Sequence, residues 1–303
     1  MASIILGGWL VGTPRSLLDN APLRSLLSDN VHFPRIRDGI DAGHLDAVAV
    51  TAAGYASARS TTFFEGRTDL KPWERTRRLG KHIDLHLDHL MASIAVPMIF
   101  PPVCIGNEYF GDGAMRQATP LSPAVHLGAD RILVIGIRDE TGGVEPDAAD
   151  QPPSFAQIAG YMLDTLFMDG LYSDLERITR VNDLLDTVPD AELQAGNRRF
   201  RPIDTMLVVP SADVRELAEK HRAELPFAIR ALLRGVGGKS PGENKLLSFL
   251  LFEQAYTREL MRLGYEDAMK VRDELRDFVT GAEVPRLFAP SWIKRDLSSF
   301  NPD

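Results

Sequence analysis

The stretch from Ala92 to Ile137 constrains the fold of this chain more than any other part of the sequence. It holds an apolar segment punctuated by prolines, a short strand pattern, the turn Gly111-Asp112-Gly113-Ala114, a short helix pattern and the apolar run from Ile132 onward. Glycines on both sides of Asp112 allow the backbone to bend sharply and hold one carboxylate at the tip of a strand. A functional group in that position is rigidly placed and reachable. The pattern therefore makes Asp112 the first candidate functional residue.

Strand and helix patterns alternate along much of the chain. Residues 45–52 are a nearly continuous apolar run, as expected for a strand covered on both faces, and residues 60–64 predict its partner across the turn. Residues 84–94 have the apolar spacing of a helix. Further strands are predicted at 108–110, 131–137 and 204–210, and further helices at 123–128 and 155–185, with one or two helices over 243–278. This alternation predicts an α/β domain over residues 1–210, followed by a mainly helical region over residues 211–303.

Composition excludes several classes of protein. The net charge is −8, from 34 basic and 42 acidic residues, which argues against a nucleic-acid partner. No uninterrupted apolar run reaches the roughly 18–20 residues of a membrane span, and the apolar first eleven residues lack the positive region of a signal peptide. The single Cys104 excludes an internal disulfide framework, and we expect it to be a small buried residue beside Pro101-Pro102. A cytoplasmic location is therefore expected.

Three histidines within eight residues form the one candidate metal centre in the sequence. His86 and His89 are spaced to share a helix face with His82 nearby, and Asp84 or Asp88 could add a ligand. A polar helix face with an ordinary cap explains the same pattern, so we predict no metal.

In their order along the chain, residues 90–137 resemble the C-terminal half of the patatin-like phospholipases. The matching positions are Ala92-Ser93, Pro97, Phe100-Pro101, the glycine turn and Thr119-Pro120, with weaker similarity at 14–23, 49–66 and the C-terminal helices. The resemblance implies a three-layer α/β/α fold with a mainly parallel sheet. It also implies hydrolysis of lipid carboxylic esters by a Ser-Asp dyad, without metal or cofactor. Asp112 would be the dyad base, with Gly111 and Gly113 shaping its turn.

The serine of such a dyad should lie upstream of Asp112 on a Gly-x-Ser-x-Gly elbow, and the oxyanion should be bound by a glycine-rich loop. Neither pattern occurs there, because every upstream serine lacks the two flanking glycines (Ser3, Ser16, Ser25, Ser28, Ser57, Ser60 and Ser93). The literal match at residues 238–242 places Pro241 after Ser240, and proline has no N–H to donate to an oxyanion. The same segment fails as a phosphate loop because Leu233 stands where a glycine is needed. We therefore predict no nucleophile in this chain.

Three hypotheses follow. The first is the C-terminal part of a patatin-like acyl hydrolase whose N-terminal strands, glycine-rich loop and serine elbow are missing. The second is a catalytically inactive patatin-like remnant that binds lipid or a protein. The third, nucleotide binding, rests only on the imperfect glycine loop. Loss of central strands would expose an apolar sheet edge, so self-association through that edge is expected, and peripheral membrane contact is open.

Overall fold

The computed structural model describes residues 16, 18–136, 155–189, 201–227, 229–230, 247–248, 250–282 and 284–293. The chain divides into two compact units, residues 1–128 and residues 129–303. This division falls before the expected boundary at residue 210, and the assignment of a separate helical region from residue 211 stays a prediction. The sequence predictions for the first eleven residues, for Ser3 and for the glycine loop at 235–242 lie outside the described residues.

The described part of the first unit combines helices with one six-stranded sheet. Its elements are α1 Ala21–Asn30, α2 Pro34–Asp41, β1 Ala47–Gly54, β2 Ser60–Gly66, β3 Trp73–Arg75, β4 Arg78–His82, α3 Leu87–Ser93, β5 Val103–Ile105, β6 Glu108–Asp112 and α4 Ser122–His126. The strand order is β3-β4-β2-β1-β6-β5. The predicted pairing of β1 with β2 is confirmed, with Ala47 opposite Gly66 and Ala53 opposite Ser60. This sheet is mixed: β2 and β4 run parallel, and the other neighbours are antiparallel.

The core of the first unit lies between this sheet and α3. Phe63 and Phe110, from β2 and β6, meet edge to face with ring centroids 5.4 Å apart. Ala52 and Ala92 are fully buried beside them, and Leu85 completes the cluster. Because α3 contacts β1, β5 and β6, it holds the end of β6 in place.

The three clustered histidines have structural contacts. The Nδ1 atom of His89 accepts a hydrogen bond from the backbone N–H of His86 (3.1 Å), which caps the start of α3. Burial, and next the neighbouring His86, lower the pKa of His89 to about 4, so the ring is a neutral acceptor. The His82 ring stacks on Phe64, with centroids 4.8 Å apart. Within the described ranges, no group of three potential ligands could hold a metal ion.

The second unit contains a three-stranded parallel sheet and long helices. Its described elements are β7 Arg131–Ile135, α5 Phe155–Asp186, β8 Asp204–Val208, α6 Val214–Lys220, α7 Gln254–Lys270, α8 Arg272–Thr280 and β9 Leu287–Phe288. The strand order is β7-β8-β9, and Met206 of β8 packs in a core with Val271 and Phe278. The α/β class is thereby confirmed, and the mainly parallel arrangement holds in this sheet. None of the described helices is both long and apolar enough to cross a membrane.

Strand β7 lies at an edge of the second sheet. Its residues alternate, with Ile132 and Val134 buried, while Leu133 is 37% and Ile135 is 76% exposed. None of the described strands pairs with its outer side. An apolar edge of this kind is a template for pairing with another chain.

The prediction that Cys104 is buried is wrong. Cys104 is the middle residue of the edge strand β5, opposite Tyr109, and its thiol is exposed. Its neighbour Val103 lies opposite the buried Phe110 instead. Because successive strand residues point to opposite faces, only the observed register shows which of the two points outward.

Candidate active site

Asp112 is the last residue of β6, and two neighbouring elements hold its backbone. It lies opposite Ala52 of β1, and its N–H donates to the carbonyl of Ala95 just after α3 (2.9 Å). Its side-chain Oδ1 accepts the N–H of Ala114 (2.9 Å), which caps the 3₁₀ turn Gly113–Arg116. The carboxylate is therefore fixed by its own turn as well as by its strand.

Both glycines beside Asp112 are closely packed, and Gly113 packs directly against backbone. A Cβ atom at Gly113 would lie 2.2 Å from the carbonyl oxygen of Thr51, which belongs to the backbone of β1. A Cβ atom at Gly111 would lie 2.7 Å from the phenol oxygen of Tyr55. Both distances are far below van der Waals contact. A side chain at Gly113 would displace the backbone beside the carboxylate, whereas one at Gly111 would displace the half-exposed Tyr55 side chain.

The pKa of the Asp112 carboxyl allows it to take and release a proton near neutral pH. It is only 8% exposed, and this burial raises its pKa to about 6 against the opposing hydrogen bond from Ala114. Among the described residues, the Ala114 N–H is the one donor to the carboxylate, and it reaches Oδ1. Burial, followed by the charge of Asp112, raises the pKa of Tyr55, so that this phenol stays neutral. A buried carboxylate with one oxygen free to accept is a suitable general base.

The candidate serines from the sequence that the structure describes do not hydrogen-bond to this carboxylate. Within the described ranges, no serine hydroxyl donates to Asp112, and this includes Ser16, Ser25, Ser28, Ser57, Ser60 and Ser93. Ser16 instead donates to the carbonyl of Leu18 (3.1 Å), and Ser57 Oγ accepts the N–H of Arg59 (3.3 Å). That the chain lacks a nucleophile stays a prediction.

A serine and a histidine do meet in α4, but the histidine is not a base for that serine. Nδ1 of His126 lies 2.8 Å from the carbonyl oxygen of Ser122 and 3.3 Å from its Oγ. A ring nitrogen must carry a proton to hydrogen-bond a carbonyl oxygen, so it cannot also accept the hydroxyl proton. Arg78 donates to Ser122 Oγ (2.9 Å) and to Thr119 Oγ1. These bonds anchor the start of α4.

The second unit contains a hydrogen-bonded serine–aspartate pair that sequence reasoning missed. Ser211 donates from Oγ to Asp267 Oδ1 (2.6 Å) and from its N–H to Oδ2 (2.7 Å), and Lys270 donates to both residues. Burial alone would raise the pKa of Asp267, but hydrogen bonds from Lys270 and Ser211 outweigh it and leave that pKa lowered. This carboxylate is therefore a weaker base than Asp112. The backbone N–H of Ser211 already donates to the same carboxylate. The pair ties the segment after β8 to α7, and no local pattern could have indicated it.

Comparison with protein families agrees with the resemblance seen in the sequence. The family model described as patatin-like phospholipase matches residues 3–125, a span that contains Asp112 and both of its glycines. Comparisons with curated proteins and with solved structures gave no match. Residues 3–125 of this chain are therefore similar to the patatin-like phospholipase family.

Proposed function

We propose that this chain carries the general base of a serine hydrolase that cleaves carboxylic esters of lipids, with Asp112 as the base of a Ser-Asp dyad. The match of residues 3–125 to the patatin-like phospholipase model supports the lipid ester as substrate class. The observation that carries the assignment is the buried Asp112 carboxyl, whose pKa is raised to about 6 and whose second oxygen has no donor among the described residues. Burial of a carboxyl in this way lowers the free energy of unfolding, and groups buried at such a cost are typical of catalytic sites.

In the proposed reaction, Asp112 accepts the proton of a serine hydroxyl while the serine oxygen bonds to the ester carbonyl carbon. Protonated Asp112 then returns this proton to the leaving alcohol as the carbon–oxygen bond breaks. A water molecule, deprotonated by Asp112, releases the acid and restores the serine. The Ala114 N–H holds Oδ1 throughout, so that Oδ2 exchanges the proton. The nucleophilic serine of this proposal lies outside the 303 residues.

The same proposal includes contact with lipid surfaces by a cytoplasmic protein. Met261, Tyr265 and Met269 follow one face of α7 at four-residue spacing and are 75%, 69% and 43% exposed. Exposed apolar and aromatic side chains on one helix face support peripheral binding to a lipid–water interface. Self-association through β7 is proposed from its exposed Leu133 and Ile135.

A fluorophosphonate probe, which labels activated serines, tests the dyad. The probe is applied to the 303-residue chain and to the native protein, captured from its source cells with an antibody against α7 and α8. We expect a native mass above 33.5 kDa and labelling of the native protein alone. In that longer form, Asp112→Asn should reduce labelling by about 100-fold or more, whereas Asp84→Asn, an exposed residue of the same unit, should not.

The other outcomes discriminate between the hypotheses. Labelling of the 303-residue chain at any serine would contradict a nucleophile outside it. A native mass of 33.5 kDa without labelling would instead favour the inactive binding module.

A further inference from the structure

His221, which follows α6, lies between two carboxylates. Its Nδ1 is 2.8 Å from Glu224 Oε1, and its Nε2 is 2.5 Å from Glu259 Oε2. An ionised carboxylate only accepts hydrogen bonds, so each ring nitrogen must donate. Only the imidazolium form of histidine carries a proton on both nitrogens. The two contacts therefore require His221 to be protonated on both ring nitrogens and positively charged.

The charges around this ring come from three elements. Glu224 belongs to the 3₁₀ turn that follows α6, and Glu259 belongs to α7, where Arg262 faces Glu259. Lys220, at the end of α6, also acts on Glu259. The hydrogen bonds to Glu224 and then to Glu259 raise the pKa of His221, so that it keeps its proton above its usual range. The ring is 17% exposed, with Tyr256 centred 6.0 Å away, and is partly shielded from water.

Helix α7 is held to the segment around α6 at two places of different chemistry. Glu259, in its first half, binds His221, whereas Asp267, in its second half, binds Ser211. The two carboxylates are eight residues apart, which is about two helical turns. The Asp267 tie rests on a hydroxyl, a backbone N–H and the Lys270 ammonium, and it contains no histidine.

We propose that His221 is a pH-sensitive latch that fastens the first half of α7 to the end of α6 and opens when the imidazolium loses its proton. A neutral imidazole has one donor, so the other nitrogen would face the lone pairs of a carboxylate and one of the two bonds would be lost. The Asp267 tie keeps the second half of the helix in place. Loss of the His221 proton at higher pH therefore loosens the first half of α7 and leaves the second half in place.

Hydrogen exchange of the full 303-residue chain at pH 6 and pH 9, corrected for intrinsic exchange rates, tests this latch. Protection of residues 254–262 should fall about tenfold at pH 9, the effect of losing one charge-assisted hydrogen bond, while residues 263–270 stay unchanged. His221→Gln should show the low protection at both pH values, and so should Glu259→Gln. The exposed His32→Gln is the matched control and should respond as the wild type does.

Nitrogen NMR of the wild-type ring provides a readout that does not depend on a variant. Both nitrogens of His221 should be protonated at pH 7. A neutral ring at pH 7 would overturn the proposal. Loss of protection over both halves of α7, or an undiminished pH response in His221→Gln, would overturn it as well.

Discussion

Replacing Asp112 by asparagine should stabilise the first unit at neutral pH. Burial raises the pKa of this carboxyl from 3.8 to about 6, so the folded state keeps a proton that the unfolded state has lost. Stability therefore falls as pH rises from 3.8 to 6, and the penalty is absent below this window and complete above it. At about 1.4 kcal/mol for each pKa unit, two units cost about 3 kcal/mol at most. Asparagine removes the charge but keeps an oxygen to accept the Ala114 N–H.

Urea unfolding of wild type and Asp112→Asn at pH 4 and pH 8 measures this difference, followed by tryptophan fluorescence, to which Trp73 in β3 contributes. We expect a gain of about 1–3 kcal/mol at pH 8 and only a small gain at pH 4, the lower end of this window, where the folded carboxyl is protonated and the unfolded one is about half protonated. The exposed Asp84→Asn should change stability by less than about 0.5 kcal/mol at either pH.

Equal effects at the two pH values, or a loss of stability at pH 8, would refute the argument that burial of the charge sets this pKa. A stability gain combined with loss of labelling in the native protein would show that the carboxylate serves the reaction at a cost in stability.

Three further perturbations test the packing and the exposed features. Gly113→Ala should cost about 1–3 kcal/mol of stability because its Cβ would meet the Thr51 carbonyl. Gly264→Ala, in open space on α7, should instead stabilise the protein by roughly 0.5–1 kcal/mol. Unfolding midpoints compare the two variants, and equal effects would contradict the close approach at Gly113. Ile135→Lys should reduce self-association in sedimentation experiments by charging the edge of β7, and an unchanged distribution would remove β7 as the interface. The thiol of Cys104 should react fully with a disulfide reagent in the native protein, and slow reaction would indicate that β5 is covered.

Elements whose residues carry a strong local pattern could be predicted from the sequence alone. The apolar run before Gly54 and its partner became the antiparallel pair β1 and β2, close to the predicted bounds. The turn around Asp112 was also readable, because glycines, prolines and a single carboxylate specify a sharp bend within a few residues. The pattern at residues 243–278 does not show whether it forms one helix or two. The structure shows a break at Val271, between α7 and α8.

The burial, pairing and charge of particular side chains depend on contacts that form only in the folded protein. The short strands β3 and β5 carry too few residues for a period-2 pattern and form because a neighbouring strand pairs with them. The pKa of Asp112 depends on its burial in the folded unit, which the sequence of its turn does not reveal. Ser211 and Asp267 are 56 residues apart along the chain, and His221 and Glu259 are 38 apart. Local patterns encode backbone angles and amphipathic faces, whereas the partner of a polar side chain is chosen by packing between distant segments.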